Sequence, residues 1–101
     1  MTTMVVFDFE GESDALIECY DRVLAEVVAV SSGRPLIHLA VPREYGLMVC
    51  DVWDSETALD SFLANDDFHQ VLAKGGLPAP KVRRYPVHGL GWPVADMPLY
   101  R

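Results

Sequence analysis

The sequence predicts one α+β domain whose elements follow the order β-α-β-β-α-β. Two long segments repeat their apolar residues every three or four positions, as helices do. Four short segments rich in β-branched and aromatic residues have the length of strands. With 101 residues and no linker, the chain has the size of a single domain. This order is that of the ferredoxin-like unit, in which both helices cover one face of a four-stranded antiparallel sheet.

The first strand and the first helix have clear signals. Residues 4–9, MVVFDF, predict the strand. From Ser13 to Val30 the apolar residues follow helical spacing and the charged residues take the opposite side, which indicates an amphipathic helix. Ser13 is the expected N-cap, and residues 31–33, Ser-Ser-Gly, are the expected end.

The middle of the chain predicts a β-hairpin. Its strands cover residues 36–41 and 47–53, joined by a turn over residues 42–46, PREYG. Asp54 or Ser55 then caps a second helix, which we expect to continue to Gly75 although residues 65–67, Asn-Asp-Asp, weaken it.

The last strand is predicted over residues 81–87. A Gly- and Pro-rich arm follows at residues 89–101, and we expect its Trp92, Leu99 and Tyr100 to pack on the domain or on a partner chain.

Both faces of the predicted sheet are apolar, because residues 4–9 and 47–53 alternate poorly between polar and apolar side chains. The chain is also 50% hydrophobic, which is high for a small domain. We therefore expect a homodimer that buries the sheet face left open by the helices.

The charge argues against nucleic-acid binding, since the net charge is −7 and phosphate backbones require clustered cations. Lys81 and Arg83 share one face of the last strand and Arg84 takes the other, so we expect a solvated edge. Asp8 is expected at the dimer interface or paired with Arg83 or Arg84.

No apolar run has the length of a membrane span and no signal peptide is evident, which predicts a cytoplasmic protein.

The segment LMVCDVWDSETALDSFL at residues 47–63, with Phe68 and the PVH at residues 86–88, resembles the dimeric α+β barrel superfamily. It is most similar to the antibiotic-biosynthesis-monooxygenase group, whose third strand commonly ends in Trp, an acidic residue and Ser before a helix. The resemblance covers about residues 4–88 and implies a dimeric α+β barrel. A fold does not determine an activity, however.

Two chemistries of that group can be compared by position. Haem-degrading members carry a Trp and a ligand His where this chain has Phe62 and Leu72, and Leu cannot bind iron. Members that oxidise aromatic polyketides without a cofactor use an Asn, a Trp and a Tyr. Of these, only the Trp matches, at Trp53, because Val49 and Leu59 occupy the other two positions.

The candidate catalytic residues are His38 and Asp51, two polar residues within apolar strands. A His that titrates near neutrality can take a proton from a phenol or a carbon acid, and a buried carboxylate needs a partner. If the turn is symmetric about Glu44, Asp51 lies opposite Ile37, and His38 and Asp51 point to opposite faces; a slip of one residue places them together. The sequence does not fix this register.

The predicted substrate-binding residues are aromatic and are expected at the layer between helices and sheet: Trp53, Phe62, Tyr20 and Phe7. The sequence contains no metal, nucleotide or serine-hydrolase motif, and we expect no cofactor and no metal.

The resemblance implies a cofactor-independent monooxygenase of a small aromatic or polyketide-like metabolite. Two other hypotheses remain open. One is a noncatalytic dimer that binds a small molecule or another protein, and the other is an isomerase or cyclase that uses a single base.

Overall fold

A computed structural model describes residues 1–91 of the chain. Most of the predicted arm, including Trp92, Leu99 and Tyr100, lies outside the described residues. The elements in chain order are β1 (Thr3–Glu10), α1 (Ser13–Val30), β2 (Ile37–Arg43), β3 (Gly46–Trp53), α2 (Glu56–Leu63), α3 (Asp66–Lys74) and β4 (Lys81–Pro86).

The four strands form one antiparallel sheet in the order β2-β3-β1-β4, and the helices cover one of its faces. This is the predicted ferredoxin-like fold, which is thereby confirmed. The core lies between the helices and the odd-numbered residues of the two central strands, β1 and β3. Its members are mostly aliphatic and aromatic: Val5, Phe7, Phe9, Leu16, Val23, Leu47, Val49, Trp53, Leu59, Phe68, Leu72 and Leu77.

The predicted second helix is wrong in one respect, since it is two helices. The Asn65 side chain accepts a hydrogen bond from the backbone N–H of Asp67 at 2.9 Å, so Asn65 caps α3 and ends the preceding helical segment. Its amide also donates to the Val30 carbonyl at 3.1 Å, which ties this break to the end of α1. The expected cap Ser55 is confirmed for α2, whereas α1 is capped by Glu12 rather than Ser13.

The hairpin between β2 and β3 turns over two residues, Glu44 and Tyr45, with Arg43 opposite Gly46. The turn is therefore centred between Glu44 and Tyr45, so the predicted centre at Glu44 is wrong by half a residue. Gly46 belongs to β3 rather than to the turn, since it pairs with Glu10 and Arg43. A Cβ at this position would lie 2.7 Å from the carbonyl oxygen of Phe9 on the neighbouring strand. The close approach of β1, and not a turn, explains this glycine.

The open face of the sheet carries apolar side chains from all four strands: Met4, Val6, Ile37, Leu39, Val41, Met48, Cys50, Val52 and Tyr85. Charged residues border it at one end. There, Asp8 accepts hydrogen bonds from Arg83 at 2.7 Å and from Arg43 at 3.1 Å, which confirms the predicted pairing of Asp8 with Arg83. None of the helices within residues 1–91 combines the length and the apolar character of a membrane span.

Candidate functional site

A cavity of about 330 Å³ lies between α1, α3 and the sheet. Most of its wall is apolar, and α1 supplies one side through residues at helical spacing. The apolar and aromatic lining residues are Phe7, Phe9, Val23, Leu24, Val27, Val28, Pro35, Val49, Phe62, Phe68, Leu72 and Leu77. A cavity of this volume is at the small end of ligand-binding pockets and suits a small aromatic ligand.

Three polar side chains in the cavity wall form a hydrogen-bonded chain. His38 and Asp51 lie directly opposite each other on β2 and β3, and His38 Nδ1 is 2.5 Å from Asp51 Oδ1. On the other side of the imidazole, Nε2 is 2.6 Å from the hydroxyl of Tyr20 on α1. The two rings are nearly parallel, with centroids 5.9 Å apart. The structure therefore brings together the two candidate catalytic residues and one predicted binding residue.

The two members of this hydrogen-bonded chain that lie on the sheet differ in exposure. The His38 side chain is 33% exposed and that of Asp51 only 6%. His38 lies on an edge strand that the helices cover incompletely, so its ring can be reached from the cavity. The carboxylate at the inner end is shielded from water and has the imidazole as its hydrogen-bond partner.

This arrangement raises the pKa of two of the three groups. The hydrogen bond that His38 donates to Asp51 is the largest cause that raises the pKa of His38; burial acts in the opposite direction, and the negative charge of Asp51 adds to the increase. Burial, followed by the charges of Asp51 and Asp21, raises the pKa of Tyr20 above 10.0, so this phenol remains protonated at neutral pH.

Proton positions follow from these contacts. Asp51 accepts from Nδ1–H of neutral His38, which leaves Nε2 as an acceptor for the Tyr20 hydroxyl. The oxygen of Tyr20 keeps lone pairs for a ligand. A proton arriving at that oxygen can displace the tyrosine proton onto His38, and the resulting imidazolium is stabilised by Asp51.

The aromatic side chains form a continuous row beside the cavity. Ring centroids are 4.9 Å apart for Trp53 and Phe62, 4.4 Å for Phe62 and Phe68, and 6.3 Å for Phe68 and Phe7. Phe7, Phe62 and Phe68 line the cavity, whereas Trp53 does not. It lies behind Phe62 and is only 1% exposed, so in this structure the predicted Trp53 wall is instead a support for the wall. Within the described residues its Nε1 has no hydrogen-bond partner.

The residues that stand at the catalytic positions of haem-degrading and polyketide-oxidising members lie in apolar surroundings. Val49 and Leu72 line the cavity, and Leu59 is completely buried in the core. His69 lies outside the cavity wall, where its Nε2 is 2.6 Å from the carbonyl oxygen of Leu63. Within residues 1–91, no three His, Cys, Asp or Glu side chains converge as a metal site would require.

Phe68 and Arg34 are two of the lining residues that the sequence did not predict. Phe68 had the spacing of an ordinary core residue of the second helix, and nothing indicated that the cavity begins beside it. Arg34 lies in the connection between α1 and β2, a segment without regular structure in which spacing carries no information.

Comparison with solved structures identifies the fold. SnoaB, a cofactor-independent oxygenase from Streptomyces nogalater, is 15% identical, with a TM-score of 0.63 over 88% of this chain and 94% of its own. A protein of Chloroflexus aurantiacus named after the antibiotic biosynthesis monooxygenases is 21% identical, with a TM-score of 0.59 over 90% and 98% of the two chains. The fold is that of the antibiotic biosynthesis monooxygenases.

This antibiotic-biosynthesis-monooxygenase fold does not determine the activity of the chain. NE2512 from Nitrosomonas europaea, a protein of unknown function, matches with a TM-score of 0.69 at 16% identity, over 91% of this chain and 94% of its own. Neither a scan against models of protein families nor a search of curated proteins finds a match. At such identities the shared fold is established, and the chemistry has to be argued from the cavity.

Proposed function

We propose that the chain is a cofactor-independent monooxygenase of a small aromatic or polyketide-like metabolite. The observation that carries this proposal is the hydrogen-bonded chain Tyr20–His38–Asp51 at the wall of an apolar cavity. An apolar wall binds flat rings, and a His backed by a buried carboxylate is a suitable general base. SnoaB, with the same fold, is described as an oxygenase without a cofactor.

The proposed reaction begins with removal of a proton from an acidic CH₂ group of the substrate. The proton moves to the Tyr20 oxygen while the tyrosine proton moves to His38. The resulting carbanion transfers an electron to O₂ and then forms a C–O bond, which gives a peroxide that takes up the first proton. Loss of the second C–H proton with cleavage of the O–O bond leaves a carbonyl and one water. One CH₂ and one O₂ thus become one C=O and one H₂O, and the substrate supplies all the electrons.

The proposed base, His38, is not one of the Asn, Trp and Tyr residues that the cofactor-independent polyketide oxidases use. Val49 and Leu59 cannot polarise a carbonyl or hold a phenolate, so the proton-transfer chain has to perform the activation. Phe62 and Phe68 would hold the rings, with Trp53 fixing the position of Phe62. The hydrogen-bonded side chains Tyr20, His38 and Asp51 would also serve an isomerase or cyclase, which needs a base but no oxygen.

The test is oxygen consumption with a panel of aromatic ketones that carry an acidic CH₂ group, such as anthrones, compared among the wild type, His38→Ala and His69→Ala. Loss of a general base should lower turnover by about 10²-fold or more in His38→Ala. His69→Ala is the matched control, since His69 lies outside the cavity wall, and it should retain turnover. Unchanged oxygen uptake in His38→Ala rejects His38 as the base.

Tyr20→Phe tests the path of the proton. It keeps the ring and removes only the hydroxyl next to His38 Nε2. Turnover should fall at least 10-fold while ligand affinity stays nearly constant. Faster turnover would mean that Tyr20 blocks His38 instead of relaying a proton. Substrate proton exchange with solvent under nitrogen, without oxygen uptake in air, would favour the isomerase.

We further infer a homodimer that forms through the open face of the sheet. This face is apolar across all four strands, and burying it against a second copy would remove exposed side chains such as Leu39 from water. The cytoplasmic location expected from the sequence stays a prediction.

A further inference from the structure

The connection between α1 and β2 places one guanidinium group, that of Arg34, at the cavity. Arg34 lines the cavity together with Ser31 and Gly33. Its Nη1 donates hydrogen bonds to the carbonyl oxygens of Ser31 at 2.9 Å and of Gly33 at 3.0 Å. These bonds fix one edge of the planar group. Within the described part of the chain, Nη2 and Nε form no hydrogen bond and remain available to a ligand.

Arg34 also differs from most other cations of the chain in its electrostatic surroundings. Five Lys and Arg side chains lie within 4.0 Å of a carboxylate: Arg22, Arg43, Lys81, Arg83 and Arg84. Arg34 and Lys74 have no such partner among residues 1–91, and Lys74 lies away from the cavity in the last turn of α3. In a protein with a net charge of −7, Arg34 is thus a cavity cation that no carboxylate of residues 1–91 neutralises within 4.0 Å.

We propose that Arg34 makes the cavity selective for aromatic ligands that carry a carboxylate. The inference rests on the proposed function, because it assumes that the cavity is the substrate site. A guanidinium binds a carboxylate through two parallel N–H···O hydrogen bonds, and such charge-assisted bonds are stronger than those between neutral groups. The rings of the ligand would contact the apolar wall.

Arg34 would also orient the ligand. Its partner Ser31 caps the C-terminus of α1, and Tyr20 and Ser31 are the first and last residues that line the cavity on the α1 side. A carboxylate held by Arg34 therefore directs the opposite end of the ligand towards the hydroxyl of Tyr20. The acidic proton of the substrate should accordingly lie on the side of the ring system remote from the carboxylate.

A purely structural role for Arg34 makes a different prediction. Arginine side chains near the end of a helix can satisfy its last carbonyl groups, and α1 has no basic residue in its last turn. If this were the whole role of Arg34, its loss would lower the melting temperature and weaken all ligands equally.

The experiment is calorimetric titration under nitrogen with 1-hydroxy-2-naphthoate and its primary amide, which has nearly the same shape but no charge. The wild type should bind the carboxylate more tightly than the amide, and added salt should reduce the difference. Arg34→Gln should weaken the carboxylate about 10-fold and leave the amide unchanged. The control Lys74→Gln removes the same charge outside the cavity and should alter neither affinity.

Two results would overturn the inference. One is an equal change for both ligands in Arg34→Gln, and the other is no binding of either ligand to the wild type. Since the titration involves no oxygen, it is independent of the oxidation proposed above. Selective carboxylate binding by a protein that consumes no oxygen with any compound of the CH₂-bearing panel would reject the monooxygenase and retain the role of Arg34.

Discussion

His38 and Asp51 are directly opposed across β2 and β3, and their side chains share a hydrogen bond of 2.5 Å on the face of the sheet that the helices cover. Asp51 is among the most buried polar residues of the described chain, at 5% exposure. An isolated carboxylate in this environment would be costly, and the imidazole compensates for its lost hydration. The hydrogen bond and the charge of Asp51 therefore favour the protonated form of His38.

This coupling predicts the pH dependence of the site. The pKa of His38 is raised above its ordinary value of 6.5, so the stability that the charged pair contributes is fully present below about pH 6.5. That stability is lost as the pH rises through the folded-state pKa. A general base acts in its neutral form, so turnover should increase with pH, with its midpoint above 6.5.

Asp51→Asn should move this midpoint to lower pH. The substitution removes the hydrogen bond to the carboxylate and its charge, which raise the pKa, and leaves the burial that lowers it. Titration of the His38 ring protons by NMR measures the shift directly, and the pH profile of kcat/KM should follow it. Asp60→Asn, which alters a carboxylate paired with Arg84, is the control. An unchanged or higher pKa in Asp51→Asn contradicts the coupling.

The order of the elements could be predicted from the sequence because it depends on local signals. Strand composition, helical spacing and the cap at Ser55 lie within a few residues of the elements they define. From the sequence, Asn65 predicts only a weaker helix and not a break between two helices, because the break depends on two contacts of its side chain. One is local, to the backbone of Asp67, and the other reaches Val30 on another helix.

The register of the hairpin, and with it the site, could not be predicted in this way. Two-residue hairpins usually contain Gly or Asn at positive φ, whereas Glu44 and Tyr45 have negative φ and give no such signal. The nearby Gly46 suggested a longer turn, although its role is to admit the backbone of β1. Because β1 lies outside the hairpin, its contact with Gly46 cannot be read from the two hairpin strands, and the sequence leaves the facing of His38 and Asp51 undecided.

The open face of the sheet leads to a prediction about assembly. Leu39 lies on this face of β2 and is 54% exposed, whereas Leu36, just before β2, is 55% exposed and lies outside the face. Two copies packed through the face would bury Leu39, so Leu39→Glu should convert the dimer to a monomer in sedimentation velocity. Leu36→Glu introduces the same charge at equal exposure and should remain dimeric. A monomeric wild type, or equal behaviour of the two variants, would refute this interface.

Gly46 provides a prediction about the hairpin itself. An added Cβ would lie 2.7 Å from the carbonyl oxygen of Phe9, a backbone atom that cannot rotate away, so β1 and β3 would have to separate. We expect Gly46→Ala to lower the free energy of unfolding by about 1–3 kcal/mol, as overpacking commonly does.

Gly33→Ala is the matched control, since its Cβ would meet only the ring of Trp53 at 3.4 Å and its φ is not positive. It should be neutral or stabilising by up to about 1 kcal/mol, through the lower entropy of the unfolded chain. Urea unfolding of both variants measures the difference; if Gly46→Ala is as stable as Gly33→Ala, the approach of β1 does not explain the glycine, and the register that aligns His38 with Asp51 has another cause.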